Sequence, residues 1–123
     1  MATQFTVIAS QRLVVLTFDG TTNVEELERI GALILSHPDF DPSFSQIIDC
    51  NRLTEVNFSA DTIRELTRSE KTFSPTSKRV IVAPQDHVYG LSRMAQAFAA
   101  QTLPNLVVVR TMAEALEVLN KAK

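Results

Sequence analysis

Two short β-branched runs open the chain, Phe5 to Ala9 and Leu13 to Phe18, separated only by Ser10-Gln11-Arg12. A connection that short joins antiparallel neighbours, so the pair predicts a hairpin. Gly20 ends the second run, and Thr22-Asn23-Val24-Glu25 reads as a capping box, in which hydroxyl and carboxylate each satisfy an orphan amide of a helix start. Leu27, Ile30, Ile34 and Leu35 mark the inner face of that helix, and His37-Pro38 stops it, because proline disfavours the helical conformation in the residue before it. After the linker Asp39-Phe40-Asp41-Pro42-Ser43, Gln46 to Asp49 predicts a third strand. A loop then reaches Ser59, whose hydroxyl is placed to cap a second helix carrying Ile63 and Leu66; the apolar period fades over Arg68 to Pro75, where this helix ends. Lys78 to Ala83 is apolar without alternation, the pattern of a strand covered on both faces. Val88, Leu91, Ala95 and Phe98 give a third helix its inner face. Asn105 to Arg110 supplies a fifth strand, and Thr111-Met112-Ala113-Glu114 is a second capping box, opening a last helix with Met112, Ala115, Leu116 and Leu119 inward.

Strands alternating with helices over short connections predict an α/β fold. The expected form is a five-stranded, mostly parallel sheet with an antiparallel N-terminal hairpin strand and about four helices covering its faces. A chain of 123 residues, 45% apolar, fits one domain over 1–123. No repeat or low-complexity tract divides it.

Charge and cysteine usage narrow the function classes. Twelve basic residues against fourteen acidic ones give no electrostatic reason to bind phosphate backbones or an anionic membrane. The lone Cys50 sits in the apolar run Ile47-Ile48-Asp49-Cys50 and is expected to pack as a small hydrophobe, which suits a reducing compartment. The N-terminus lacks a basic patch and a long apolar segment, and no stretch approaches the ~20 apolar residues of a membrane span, so a cytoplasmic protein without a membrane span is expected.

The ordered set Arg12-Leu13-Val14-Val15, Asp39-Phe40-Asp41-Pro42-Ser43-Phe44 before Ile47-Ile48-Asp49, and Val82-Ala83-Pro84 followed by Tyr89-Gly90-Leu91-Ser92-Arg93-Met94 resembles the SpoIIAA-like family, small bacterial domains related to STAS domains and to the SEC14-type lipid-binding fold. The resemblance covers nearly the whole chain. It implies an α/β sandwich without known catalysis, acting as a regulatory or protein-interaction module, with a SEC14-like small-ligand or lipid-binding role as the alternative. In STAS antagonists of anti-sigma factors a phosphorylatable serine begins the helix after the third strand, usually preceded by Asp. Ser59 is the matching position, but Phe58 takes the place of that Asp.

The residues with chemical potential are few. A phosphate on Ser59 would meet the amides of a helix start, although a serine there is more simply a cap. Gly90 should cost ~1 kcal/mol relative to alanine inside a helix, and close packing is the expected compensation, ahead of an approaching ligand. Tyr89 and Arg93 share a helix face, and with Gly90 and Met94 they form a candidate partner or ligand surface. The carboxyl ends of parallel strands, where open sheets bind ligands, supply Asp19 with Gly20, Asp49 with Asn51, Pro84 to Asp86, and Arg110 with Thr111. Asp49 is expected to bond loop amides. His37, at a helix C-terminus, and His87 lack an orienting partner for acid–base work and the spacing of a metal pair, so no catalytic residues, metal or cofactor are expected. Arg64, Arg68, Lys71, Lys78 and Arg79 read as a solvated helix face. A protein partner, including a second copy, leads; a small ligand is second, with its pocket expected between the sheet and the third helix and no larger than a few hundred cubic ångströms.

Overall fold

A computed structural model describes residues 2–56, 59–69 and 72–120. Along the chain run β1 (Ala2–Ile8), a 3-10 turn (Ala9–Gln11), β2 (Leu13–Thr22), α1 (Val24–Ser36), β3 (Ser45–Val56), α2 (Ala60–Ser69), β4 (Arg79–Val82), α3 (Asp86–Phe98), β5 (Leu106–Val109) and α4 (Met112–Asn120). The five strands form one sheet in sequence order, β1 antiparallel to β2 and every later neighbour parallel. This is the expected mixed sheet.

Strand order settles which face each helix covers. Three successive right-handed crossovers in one direction place α1, α2 and α3 on the same side of the sheet. Val14, Leu16 and Phe18 of β2, Cys50 and Leu53 of β3 and Ile81 of β4 meet Ile30 and Ile34 of α1 and Val88 of α3 there. The opposite face packs Leu13, Ile47, Val80, Val82 and Val109 around Ala115 of α4. Among the described residues, one face therefore carries three helices and the other only α4.

Several boundaries differ from the sequence reading. β3 runs to Val56 rather than stopping at Asp49. Its register with β2 slips between Thr17 and Asp19 and again between Gly20 and Thr21, so β3 carries extra residues opposite β2. A bulge of this kind re-aims side chains, and here it returns Leu53 and Val56 to the helical face after the polar interruption at Asn51 and Arg52. Gly20 sits at the second slip with φ 91°, a left-handed conformation that favours glycine. The α1 cap is Asn23, whose side chain accepts from the Glu26 amide at 2.9 Å, while Thr22 is the buried last residue of β2. Leu35 and Leu116, expected inward, are 57% and 47% exposed. The α4 capping box forms as expected: Glu114 accepts from the Thr111 amide at 3.1 Å and its own amide donates to the Thr111 hydroxyl at 3.1 Å.

The linker before β3 is anchored by the hairpin turn. Arg12 closes the 3-10 turn at φ 51°, bonds Ser43 through its guanidinium, and lies 5.1 Å from the centre of the Phe44 ring. Phe40 packs edge-on against both Phe44 and Phe73. Asp41 accepts from the Ser43 hydroxyl and amide, which holds its carboxyl below the usual carboxylate range. The associated stability is present above the ordinary carboxylate pKa and is lost as pH falls through the lowered value.

β4 pairs only with Gln46 to Asp49, so β3 overhangs its neighbour. Gln85, the residue before α3, covers that overhang. Its amide nitrogen donates to the carbonyls of Cys50, Asn51 and Leu53 at 3.1, 3.2 and 3.0 Å. We expect Gln85→Ala to lower the unfolding free energy by about 1 kcal/mol in chemical denaturation. Gln85→Glu should lower it further, because a carboxylate cannot donate to three carbonyl oxygens.

Candidate functional site

The carboxyl ends of β4 and β5 bring four of the candidate residues together. The Arg110 guanidinium donates to the Pro84 carbonyl at 3.0 Å, pairs with Asp86 at 3.0 Å, and lies 3.8 Å from the centre of the Tyr89 ring. From the next turn of α3, Arg93 donates to the Tyr89 hydroxyl at 3.3 Å, with its guanidinium carbon 6.0 Å from the ring centre. Tyr89 is thus half-buried and fixed between two cations, while Arg93 is exposed. Each exposed arginine–ring contact is worth about 0.5–1 kcal/mol. The Asp86–Arg110 pair adds little, since Asp86 is almost fully exposed.

The remaining strand-end acids lie outside this cluster. Asp19 pairs with Arg52 at 3.2 Å across β2 and β3. Asp49 accepts from the Asn51 amide at 2.9 Å and from its side chain at 2.7 Å, bracing the first slip of β3. It bonds an amide as expected, but within the strand rather than a loop. Met94 is half-buried. Gly90 has open space where a Cβ would stand, so close packing does not explain it; Gly31 would meet only the Thr72 hydroxyl, at 3.5 Å.

Ser59 caps α2. Its hydroxyl accepts from the Thr62 amide at 3.3 Å and shares a 3.1 Å contact with the Thr62 hydroxyl, an arrangement worth about 1 kcal/mol. Asn57 and Phe58 fall outside the described residues. His37 is taken up by the end of α1, where its Nδ1 accepts from the Asp39 amide at 3.1 Å, and His87 is exposed in the first turn of α3. Among the described residues no three His, Cys, Asp or Glu side chains gather to hold a metal ion. Cys50 is buried, and burial followed by the charge of Asp49 pushes its thiol up to about 12.

A pocket of the few hundred cubic ångströms expected is present, but it reaches beyond α3. A cavity of about 460 Å³ lies between the sheet and the three-helix layer. Leu16, Phe18, Ile48 and Leu53 floor it; Ile30 and Ile34 of α1, Ile63 and Leu66 of α2, and Leu91 and Ala95 of α3 wall it. It reaches α3 as expected, but it lies equally between α1 and α2, and its volume falls in the range of small-molecule sites. α2 packs on α3 and α1 packs along β1, and the cavity lies above β2 and β3 between them. Arg79, expected on a solvated face, is 4% exposed on β4, where it lines the cavity with its guanidinium carbon 5.0 Å from the Phe73 ring centre. Arg64 and Arg68 do lie on the exposed side of α2, paired with Asp61 and Glu65; Lys71 is outside the described residues.

Neither a protein-family model nor a curated protein matches the chain. Solved structures do, among them the following two. One is an uncharacterised DUF3478-family protein with a SpoIIAA-like fold from Shewanella loihica PV-4, 17% identical, with a TM-score of 0.62 over 96% of this chain and 92% of that one. The other is the anti-sigma factor antagonist SpoIIAA in its unphosphorylated form, 17% identical, with a TM-score of 0.53 over 97% of this chain and 98% of that one. The chain has a SpoIIAA-like fold, as its sequence resemblance implied.

Two measurements check the local readings. Gly90→Ala should raise the unfolding free energy by up to ~1 kcal/mol, because the helix gains propensity and the added methyl meets nothing. Cys50 should react with a thiol reagent at pH 8 far more slowly in the native protein than in denaturant, reflecting both its burial and its raised pKa.

Proposed function

We propose that this SpoIIAA-like chain is a non-catalytic regulatory module that recognises a protein partner through α3 and the adjoining ends of β4 and β5. The observation that carries this reading is the fixed Tyr89 ring between Arg110 and Arg93. Aromatic and arginine side chains are enriched at interface centres, and a side chain already immobilised loses less entropy on binding. Gly90 leaves a notch beside the ring, giving a partner's backbone close access. The two guanidiniums favour a carboxylate-bearing partner. Similarity to an anti-sigma factor antagonist supports a regulatory role, and a second copy of the chain is the other partner this surface admits. Ser59 acts in this reading as the α2 cap, and the same position would receive a phosphate if the module is switched. No helix among the described residues is long and apolar enough to cross a membrane, and the unpaired Cys50 supports a cytoplasmic setting.

A second reading, binding of a small apolar ligand, is favoured by the cavity between the sheet and the helices. The two are compatible, since the cavity and the Tyr89 surface occupy different sides of α3.

Light scattering on wild type, Tyr89→Ala and Arg110→Glu should show a self-associated species or a captured partner with wild type, and loss of it with both variants. A strict monomer that captures nothing, or capture unchanged by both variants, overturns the interaction reading.

A further inference from the structure

The sheet ends at β1 on one side and at β5 on the other, and the two edges are finished differently. On β5, four residues long, the outward groups of Leu106 are taken up within the molecule: its amide donates to the Leu103 carbonyl at 3.2 Å, and its carbonyl accepts from the Gln96 side chain at 3.1 Å. β1 is seven residues long and carries no charged residue, no proline and no slip in its register with β2. Charged side chains, proline and bulges are the devices that keep an edge strand from pairing with another chain. β1 has none of them.

The ladder fixes which backbone groups β1 turns outward. The Arg12 carbonyl accepts from the Ser45 amide of β3 at 2.9 Å, so Leu13, the next residue, turns its own amide and carbonyl toward β1. Ile8, Thr6 and Gln4, opposite Leu13, Val15 and Thr17, are therefore the residues bonded to β2. Thr3, Phe5 and Val7 present their amides and carbonyls to the free edge, where no strand among the described residues pairs with them. The side chains of Phe5 and Val7 lie half-buried on the helical face, while Gln4 and Thr6 stand exposed on the other. α1 packs along this strand, with the His37 ring 6.3 Å from that of Phe5. Leu33 lies one turn before His37 on the same side of α1 and is 43% exposed, an apolar side chain left uncovered above the edge.

We infer that β1 pairs antiparallel with β1 of a second copy, joining the two sheets into one about a two-fold axis between the two Phe5 residues. Self-pairing is the arrangement that satisfies this edge completely. With Phe5 opposite Phe5 and Thr3 opposite Val7, every outward amide of one strand meets an outward carbonyl of the other. On the helical face Phe5 meets Phe5, and Leu33 approaches Leu33 across the axis; on the other face Gln4 stands opposite Thr6, with no charge on either. Seven residues span about 24 Å and the sheet with its α1 layer is about 20 Å deep, so the pair buries roughly 1,000 Å² in total, the lower bound for specific association. Each copy has one such edge and pairing consumes it, so association stops at two. β1 lies at the opposite edge of the sheet from Arg110 and Tyr89, and a partner recognised there would meet a dimer.

The test is sedimentation velocity over a concentration series with wild type, the double variant Gln4→Lys with Thr6→Lys, the double variant Gln4→Glu with Thr6→Glu, an equimolar mixture of the two, and Tyr89→Ala. Wild type should show a reversible monomer–dimer equilibrium. Each double variant, altered only at exposed side chains and verified as folded by circular dichroism, should dimerise about ten-fold more weakly, because the pairing sets like charges directly opposite each other twice. The mixture should recover a heterodimer at least as tight as the wild-type dimer, and Tyr89→Ala should leave dimerisation unchanged. The interaction reading above then rests on a captured partner alone, whose loss with Tyr89→Ala is read separately. Wild type that stays monomeric throughout, dimerisation untouched by both double variants, or a mixture no tighter than its components overturns the β1 pairing. Loss of the dimer with Tyr89→Ala also overturns it, and assigns self-association to the α3 surface instead.

Discussion

The handedness of the βαβ crossover governs this structure. A sheet whose strands lie in sequence order cannot distribute its crossover helices between two faces, because each right-handed connection returns on the same side. Three helices therefore share one face, and a single C-terminal helix is left for the other. Covering a twisted five-stranded face with three helices of ten to thirteen residues is a tight fit only if they lean toward one another. Here α2 packs on α3 and α1 along β1, and the space above β2 and β3 stays open.

Much of this architecture was legible in the chain. The hairpin, the capping box at Thr111 and Glu114, and the unalternating run at Val80 to Val82 each reflect a local rule that the tertiary structure does not contest. The full length of β3 was not legible. Asp49-Cys50-Asn51-Arg52 breaks the alternation, and only pairing with β2 across two slips, braced by Asp49, keeps the backbone extended there. Position Arg79 misled for a similar reason: an arginine next to lysine reads as solvated, yet the β4 register turns it inward onto Phe73.

The candidate surfaces divide along the same line. Tyr89 and Arg93 were placed on one helix face by spacing alone, and the structure adds Arg110 from the end of β5, a contact across 21 residues that no local pattern encodes. A pocket beside α3 was expected, but its reach under α1 and α2 was not legible, since its lining residues are the same apolar residues that would have filled a solid core. What distinguishes a lined cavity from a packed core here is which neighbours α1 and α2 pack against, β1 for one and α3 for the other. Thr22 looked like half of a capping box, and its burial at the end of β2 emerges only once Asn23 takes the cap.

The overhang of β3 beyond β4 has a consequence for how the protein behaves in a crowded solution. A strand bonded on one side only is a template on which another extended chain can pair, the usual route to runaway aggregation. Arg52 and Glu55 place charge along the exposed stretch, the bulges twist it away from a flat edge, and Gln85 occupies its carbonyls. The same side chain that ties α3 to the sheet thus denies an incoming strand the acceptors it would need, so the protein can keep a long ribbon beneath its cavity without becoming a seed for its own assembly.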